Sequence, residues 1–259
     1  MRIISEVTTW NHDRPPDIVW ANAGSAHPTL FLQTPIQTLR SQMDTNYWAT
    51  AYLAHATLTA WTQAPPPSST SDPPPKLPRH FITTSSVLAF CGIAGYAAYS
   101  PPKSAQRSLI DTLRSEIALY NGARLRADVL VPEIKLHAVF PGTILSPGHA
   151  QEQKLKHPIT GILEEGDPAQ GEDEVALAAV RGLEKGDFLV ATQGLGALLR
   201  WGALGSSARN GWFGFRDVLG SWVVSVVWCF LGPQLEGKVF GWGKRNGVKA
   251  DARMKGDER

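Results

Sequence analysis

The chain has 259 residues, 43% of them hydrophobic and 19% charged, enough to bury a core as one α/β domain. A formal net charge of +2 without a basic stripe excludes a nucleic-acid-binding surface, and the basic residues near the end (Lys238, Lys244, Arg245, Lys249, Arg253, Lys255, Arg259) have acids among them, as in a solvated tail. Two distant cysteines, Cys91 and Cys229, suit a reducing, cytosol-facing compartment, and the seven histidines lack ligand spacing, so no metal site is expected.

Met1-Arg-Ile-Ile-Ser-Glu6 is too short and polar for a signal peptide. Ile3, Ile4, Val7 and Trp10 define one helical face, and 11–16 is turn-rich. Residues 17–21 form a short apolar strand of the type buried on both faces of a parallel sheet. Residues 30–39 read as helical around Pro35. A long helix follows over 43–62, apolar at Tyr47, Trp48, Ala51, Leu53, Ala54 and Leu58. The Pro/Ser-rich stretch 64–79 predicts an exposed, mobile loop insertion. Beyond it come a strand at 81–85, a helix at 99–120 with Pro101-Pro102 in its first turn, a strand at 134–140, a helix at 172–183 and a strand at 187–192. This alternation predicts a doubly wound parallel sheet. The longest apolar stretch, 221–232, falls short of the ~20 residues that span a bilayer, leaving a buried element or an interfacial one with its tryptophans at headgroup level.

The chemistry gathers around Tyr99-Ser-Pro-Pro-Lys103. Four residues apart at a helix start, a phenol and an ammonium share one face, and the cation is expected to draw the phenol toward acid/base use. Ser86, thirteen residues earlier at a strand end, is placed to hydrogen-bond the oxygen that the tyrosine protonates; Ser85 points to the opposite face. Tyr96 has no lysine four residues on. Together these groups suit carbonyl–alcohol interconversion with a nicotinamide cofactor. Asn22-Ala23-Gly24 makes a tight turn after a strand, where the glycine admits a cofactor to the backbone.

In order and spacing, Asn22-Ala23-Gly24, Asn46 on its helix, Ser86, Tyr99/Lys103 and Pro141-Gly142-Thr143 resemble the short-chain dehydrogenase/reductase family, a Rossmann-like α/β fold, over about residues 1–200. Tyr-Ser-Pro-x-Lys, Pro16-Asp-Ile-Val-Trp-Ala-Asn-Ala-Gly24, Ser146-Pro-Gly148, Leu163-Glu-Glu-Gly-Asp-Pro168 and an apolar C-terminal extension over 201–259 are similar to the fungal 3-ketodihydrosphingosine reductases. That resemblance implies NADPH-dependent reduction of a long-chain sphingoid ketone at the cytosolic face of the endoplasmic reticulum membrane. It also implies a membrane-interface contact or acyl groove through 221–232, and a homodimer packed through the helices at 43–62 and 99–120. Tyr99 would be the proton donor and Ser86 would orient the oxygen. Lys103 would lower the tyrosine pKa and hold the nicotinamide ribose, with Asn46 linking the lysine to solvent. Residues 22–24 and 141–143 would line the cofactor. Two other readings are a reductase of another apolar ketone, such as a steroid or retinoid, and a non-catalytic fragment. The family's Gly-rich turn is not found before Asn22, and Gly194-x-Gly196 sits at the wrong end of the fold. The expectation is therefore an N-terminally truncated domain that starts within the third crossover helix, leaving the strand at 17–21 at an edge.

Overall fold

The computed structural model describes residues 2–63, 77–125, 132–211 and 214–248. Helix α1 (Arg2–Trp10) leads through a turn, where His12 and Asp13 take positive φ, into strand β1 (Ile18–Ala21). Only Ile4 of the anticipated α1 face is buried, and Trp10 is 83% exposed. The segment at 30–39 breaks in two. Pro35 has no amide hydrogen and holds Thr34 extended, separating a 3-10 turn (Phe31–Gln33) from α2 (Ile36–Met43). The helix then widens into a π turn over Asp44–Trp48 and continues as α3 (Ala49–Gln63). Trp61 closes α3 against the sheet, its indole N–H donating to the Pro16 carbonyl at 2.7 Å. Most of the expected loop at 64–79 lies outside the described residues.

Strand β2 (Arg79–Thr84) is followed by a 3-10 turn at Val87–Ala89 and by α4 (Ser100–Ala123). Strand β3 (Ile134–Phe140) starts under Asn121, whose side chain bonds both the N–H and the C=O of Ile134. Next come β4 (Ile144–Leu145), α5 (Pro147–Leu155), α6 (Pro158–Glu164), β5 (Gln170–Gly171), α7 (Glu172–Glu184), β6 (Leu189–Ala191), α8 (Gly194–Gly202) and α9 (Phe215–Asn246). The main sheet is parallel, in the order β1-β2-β3-β6, with Phe81 opposite Val19 and Leu136, and Ala138 opposite Leu189. Phe81, Ala138, Phe140 and Leu189 are fully buried, and each large side chain contributes roughly 1.5–3 kcal/mol through burial. This is the doubly wound arrangement that the alternation of elements predicts.

Two expectations are corrected. The first strand is not buried on both faces: Val19 and Ala21 face the core, while Ile18 is 63% exposed and Trp20 faces a cavity. Among the described residues it stands at the edge of the sheet, packed against α3. The apolar stretch at 221–232 is neither buried nor short. It is the middle of the 32-residue α9, whose most apolar 18-residue window has a mean hydropathy of 1.6 and is 6% buried. Apolar residues continue on both sides, and Pro233 lies within the helix without ending it. By length and composition α9 is able to cross a membrane.

His80 and His137 stack across β2 and β3, with Nδ1 of one 3.1 Å from Nε2 of the other. Burial lowers both pKa values below 6.5, and His137 bonds the Asp187 carbonyl at 2.8 Å. A depressed imidazole pKa means that the unfolded chain takes up the proton first, so this contribution is intact above 6.5 and is lost as pH falls. The raised carboxyls of Glu152 and Asp187 act in the opposite sense. His137→Gln isolates the imidazole share. Between about pH 7.5 and 5.5 the wild type is expected to lose more in Tm than the variant. Parallel melting curves for the two proteins would contradict this.

Candidate active site

The C-terminal ends of β1, β2 and β3 open into a cavity of about 1130 Å³, where doubly wound sheets take their ligands. Its floor is polar and its walls, from Leu88 and Ile93 to Leu195, Leu199 and Leu231, are largely apolar.

Tyr99 sits at the N-terminal boundary of α4 and Lys103 one turn along, as their spacing predicts. The Lys103 side chain is 3% exposed; its ammonium lies 5.6 Å from the centre of the Tyr99 ring and donates to the Thr84 carbonyl at 3.0 Å. Burial lowers its pKa to about 8. Contrary to expectation, the net shift of the phenol beside this cation is upward. Burial pushes the Tyr99 pKa up, the hydrogen bond from Ser86 works against that rise, and the charge of Glu152 adds to it. Tyr99 is therefore a protonated acid at rest. Tyr96 lies 6.0 Å away ring to ring, but burial and a bond to Glu164 hold its proton firmly.

The adjacent serines divide as strand geometry requires. Ser85 donates to the Lys103 carbonyl at 3.0 Å and ties β2 to α4. Ser86 caps the Val87–Ala89 turn by accepting from the Leu88 N–H, and it lines the cavity together with Tyr99.

Asn46 lies in the π turn and is completely buried. Its Oδ1 accepts from the Ser25 N–H at 3.1 Å, and its Nδ2 donates to the carbonyls of Ser25 and Gln42 at 2.9 and 3.0 Å. It thus clamps the loop after β1 and makes no direct bond to Lys103. The two side chains meet at Gly24, where a Cβ would stand 2.9 Å from Asn46 Oδ1 and 3.1 Å from Lys103 Nζ. Asn22 accepts from Thr84 Oγ1 at 2.7 Å, which in turn accepts from the Trp20 indole at 2.8 Å. Ala23 is exposed and stands outside the cavity wall, whereas Asn22 and Gly24 line it.

Pro141, Gly142 and Thr143 line the opposite side. Thr143 donates to Asp167 Oδ2 through its N–H at 3.1 Å and its hydroxyl at 2.5 Å, and Gln193 donates to Asp167 Oδ1 at 2.7 Å. A Cβ on Gly142 would overlap the Gln193 amide at 2.0 Å, so a side chain there would push Gln193 off Asp167. Sequence reasoning missed Gln42, Asp167, Gln193, Glu152 and Trp20. Gln42 could have been found as a polar residue one turn from Asn46; the others are brought in by tertiary contacts.

A nicotinamide nucleotide fits what is present. Lys103 brings a buried cation to the cavity, and Gly24 leaves the space beside it that any side chain would fill. Gly24, Lys103 and residues 141–143 would hold the nicotinamide end.

No family model matches the chain. It is 50% identical over 250 residues to the 3-ketodihydrosphingosine reductase of Aspergillus fumigatus, covering 95% of this chain and 67% of that protein. It is 36% identical over 248 residues to the reductase of the same name from Neurospora crassa, covering 95% and 64%. The chain thus spans about two thirds of the length of these relatives. Among solved structures, a short-chain dehydrogenase from Streptomyces avermitilis gives a TM-score of 0.56 at 22% identity over 79% of this chain and 70% of that one. One from Burkholderia cenocepacia, in complex with NADP, gives 0.55 at 17% identity over 78% and 70%. Fold and sequence agree: the chain has the fold of the short-chain dehydrogenases and belongs to the 3-ketodihydrosphingosine reductases.

Proposed function

We propose that the chain reduces 3-ketodihydrosphingosine to dihydrosphingosine with NADPH, as a step of sphingolipid synthesis. The observation that carries this reading is the phenol of Tyr99, with Ser86 lining the same cavity and the Lys103 ammonium 5.6 Å from its ring, at the floor of a cavity with long apolar walls. The choice of NADPH follows the family resemblance. When bound, the dihydronicotinamide supplies hydride to the ketone carbon. Ser86 and Tyr99 hold the ketone oxygen between them. As charge develops there, Tyr99 gives up its proton, because an alkoxide is a far stronger base than a phenolate. The Lys103 cation lies against the Tyr99 ring and stabilises the phenolate left behind. Asn46 keeps the 24–25 loop in place, so that Gly24 stays open beside the lysine.

The reductase part, residues 1–200, and the extension, 201–259, meet in this reading. Trp228, Leu231 and Leu235 of α9 close the acyl side of the cavity, and Trp222, Val226 and Phe230 point outward to a membrane surface. Lys238, Lys244 and Arg245 follow the apolar run and suit anionic headgroups. The setting that fits is the cytosolic face of the endoplasmic reticulum. A homodimer would pack through exposed Trp48, Tyr52 and Leu119 on the two long helices.

The test is to follow NADPH consumption by the purified chain with 3-ketodihydrosphingosine and, in parallel, with a steroid ketone. Reduction of the sphingoid ketone at least ten times faster is expected; equal or reversed rates would overturn the substrate assignment. Flotation with liposomes checks the membrane contact, which Trp222→Ser with Phe230→Ser should weaken.

A further inference from the structure

The cavity carries a charge pattern that hydride transfer to a simple ketone does not require. Glu152, Glu164, Glu165, Asp167 and Glu172 all line it. Four of them are accounted for. Glu164 is paired with the buried Lys156, Asp167 is taken up by Thr143 and Gln193, and Glu165 and Glu172 are solvent-exposed on the rim. Glu152 is different. It projects from α5 into the cavity and is half-buried; His149 on the same helix and Lys156 attract its charge, but among the described residues no cation lies within salt-bridge distance of it. It lines the same cavity as Tyr99 and Ser86, and its charge helps to raise the pKa of both Tyr99 and Tyr96. A carboxylate held there raises the cost of forming phenolate and repels a polyanionic cofactor, so it is an encumbrance unless a cation joins it.

A sphingoid ketone brings such a cation, an ammonium on the carbon next to the carbonyl. We propose that Glu152 is the specificity-determining residue that receives this ammonium when the ketone oxygen lies on Tyr99 and Ser86, so that the site selects long-chain 2-amino ketones over plain ketones. The inference rests on the reductase reading above and deepens it. Pairing with the ammonium would satisfy the carboxylate at the moment the substrate is seated, and would relieve its effect on Tyr99.

The test measures binding, so it does not depend on turnover. The full chain is titrated with 2-aminodecane-1,3-diol and with decane-1,3-diol, short enough to stay monomeric, and followed by the fluorescence of Trp20 and Trp228, which line the cavity. The wild type is expected to bind the amine at least tenfold more tightly. Glu152→Gln should remove that preference by weakening the amine to the level of the diol, and Glu165→Gln, which strips a charge from the rim, should keep it. No preference in the wild type overturns the proposal, as does a preference that survives Glu152→Gln or disappears equally in Glu165→Gln. Should the Gln variant fail to fold, Glu152→Met is read in the same way. A wild type that prefers the amine but reduces no ketone would count against the reaction and leave Glu152 in its role. One that reduces 3-ketodihydrosphingosine and its deamino analogue equally well would do the reverse.

Discussion

Tyr99→Phe is expected to lower the rate of ketone reduction by about 10³-fold while leaving Tm within a degree or two of the wild type. The phenol shares the cavity with Ser86, is flanked by Lys103, and carries the proton that the product alcohol needs. Removing one oxygen leaves the ring packing against Tyr96 and the lysine intact. The variant should therefore still bind nucleotide. Single-turnover measurements with saturating NADPH separate the chemical step from binding. A Tyr99→Phe protein that retains a tenth of wild-type activity would show that the proton comes from elsewhere. Burial weakens the lysine to about 8, so the rate of the wild type should also fall as pH rises through that value and the cation is lost.

The second large effect concerns stability. Asp217 is 4% exposed and receives both guanidinium nitrogens of Arg200, at 2.8 and 2.6 Å, together with the Trp201 indole at 2.7 Å and the Asn210 N–H at 2.8 Å. Burial alone would raise this carboxyl, but the hydrogen bonds from Arg200, Asn210 and Trp201 outweigh it and hold the pKa below the usual 3.8. Asp217→Ala would leave a buried guanidinium without a counter-charge at the junction of α8 and α9, at a cost of about 3–5 kcal/mol. In a chain of this size the expected fall in Tm is about 10 °C. Asp217→Asn, which keeps part of the bonding, should fall between. Unchanged melting of the Ala variant would mean that α9 is held by its apolar contacts alone. The folded-state pKa is depressed, so the contribution is complete above 3.8 and is lost only as pH drops through the folded value.

Elements whose cause is local were legible in the sequence. The strand at 134–140 and the helix beginning at Tyr99 have the predicted starts, since alternation and the Pro101-Pro102 turn are written into neighbouring residues. The opposite orientation of Ser85 and Ser86 follows from strand geometry alone. What stayed hidden was decided at a distance. The rise in the Tyr99 pKa reflects the burial that tertiary packing imposes, which outweighs the expected pull of a lysine four residues away. Asp167 figured only within the run 163–168 and Gln193 carries no motif, and they meet around Thr143 through tertiary contacts that include the pairing of β4 and β5. The length of α9 was underestimated because a contiguous apolar run is a poor measure of a helix that tolerates Pro233 and carries its apolar residues well beyond 221–232.

The wide turn at Asp44–Trp48 acts as a phase shifter. One additional residue in a helix rotates everything after it by about 100° relative to what precedes it. Upstream, Gln42 faces the loop after β1; downstream, Thr50, Ala54, Thr57 and Trp61 face the core, and Asn46 sits at the point where the two settings meet. An uninterrupted helix could serve one of these faces or the other. Deleting a single residue between 44 and 48 would restore the ordinary winding, and its effect would be felt at the far end of α3, at the indole that Trp61 rests on Pro16.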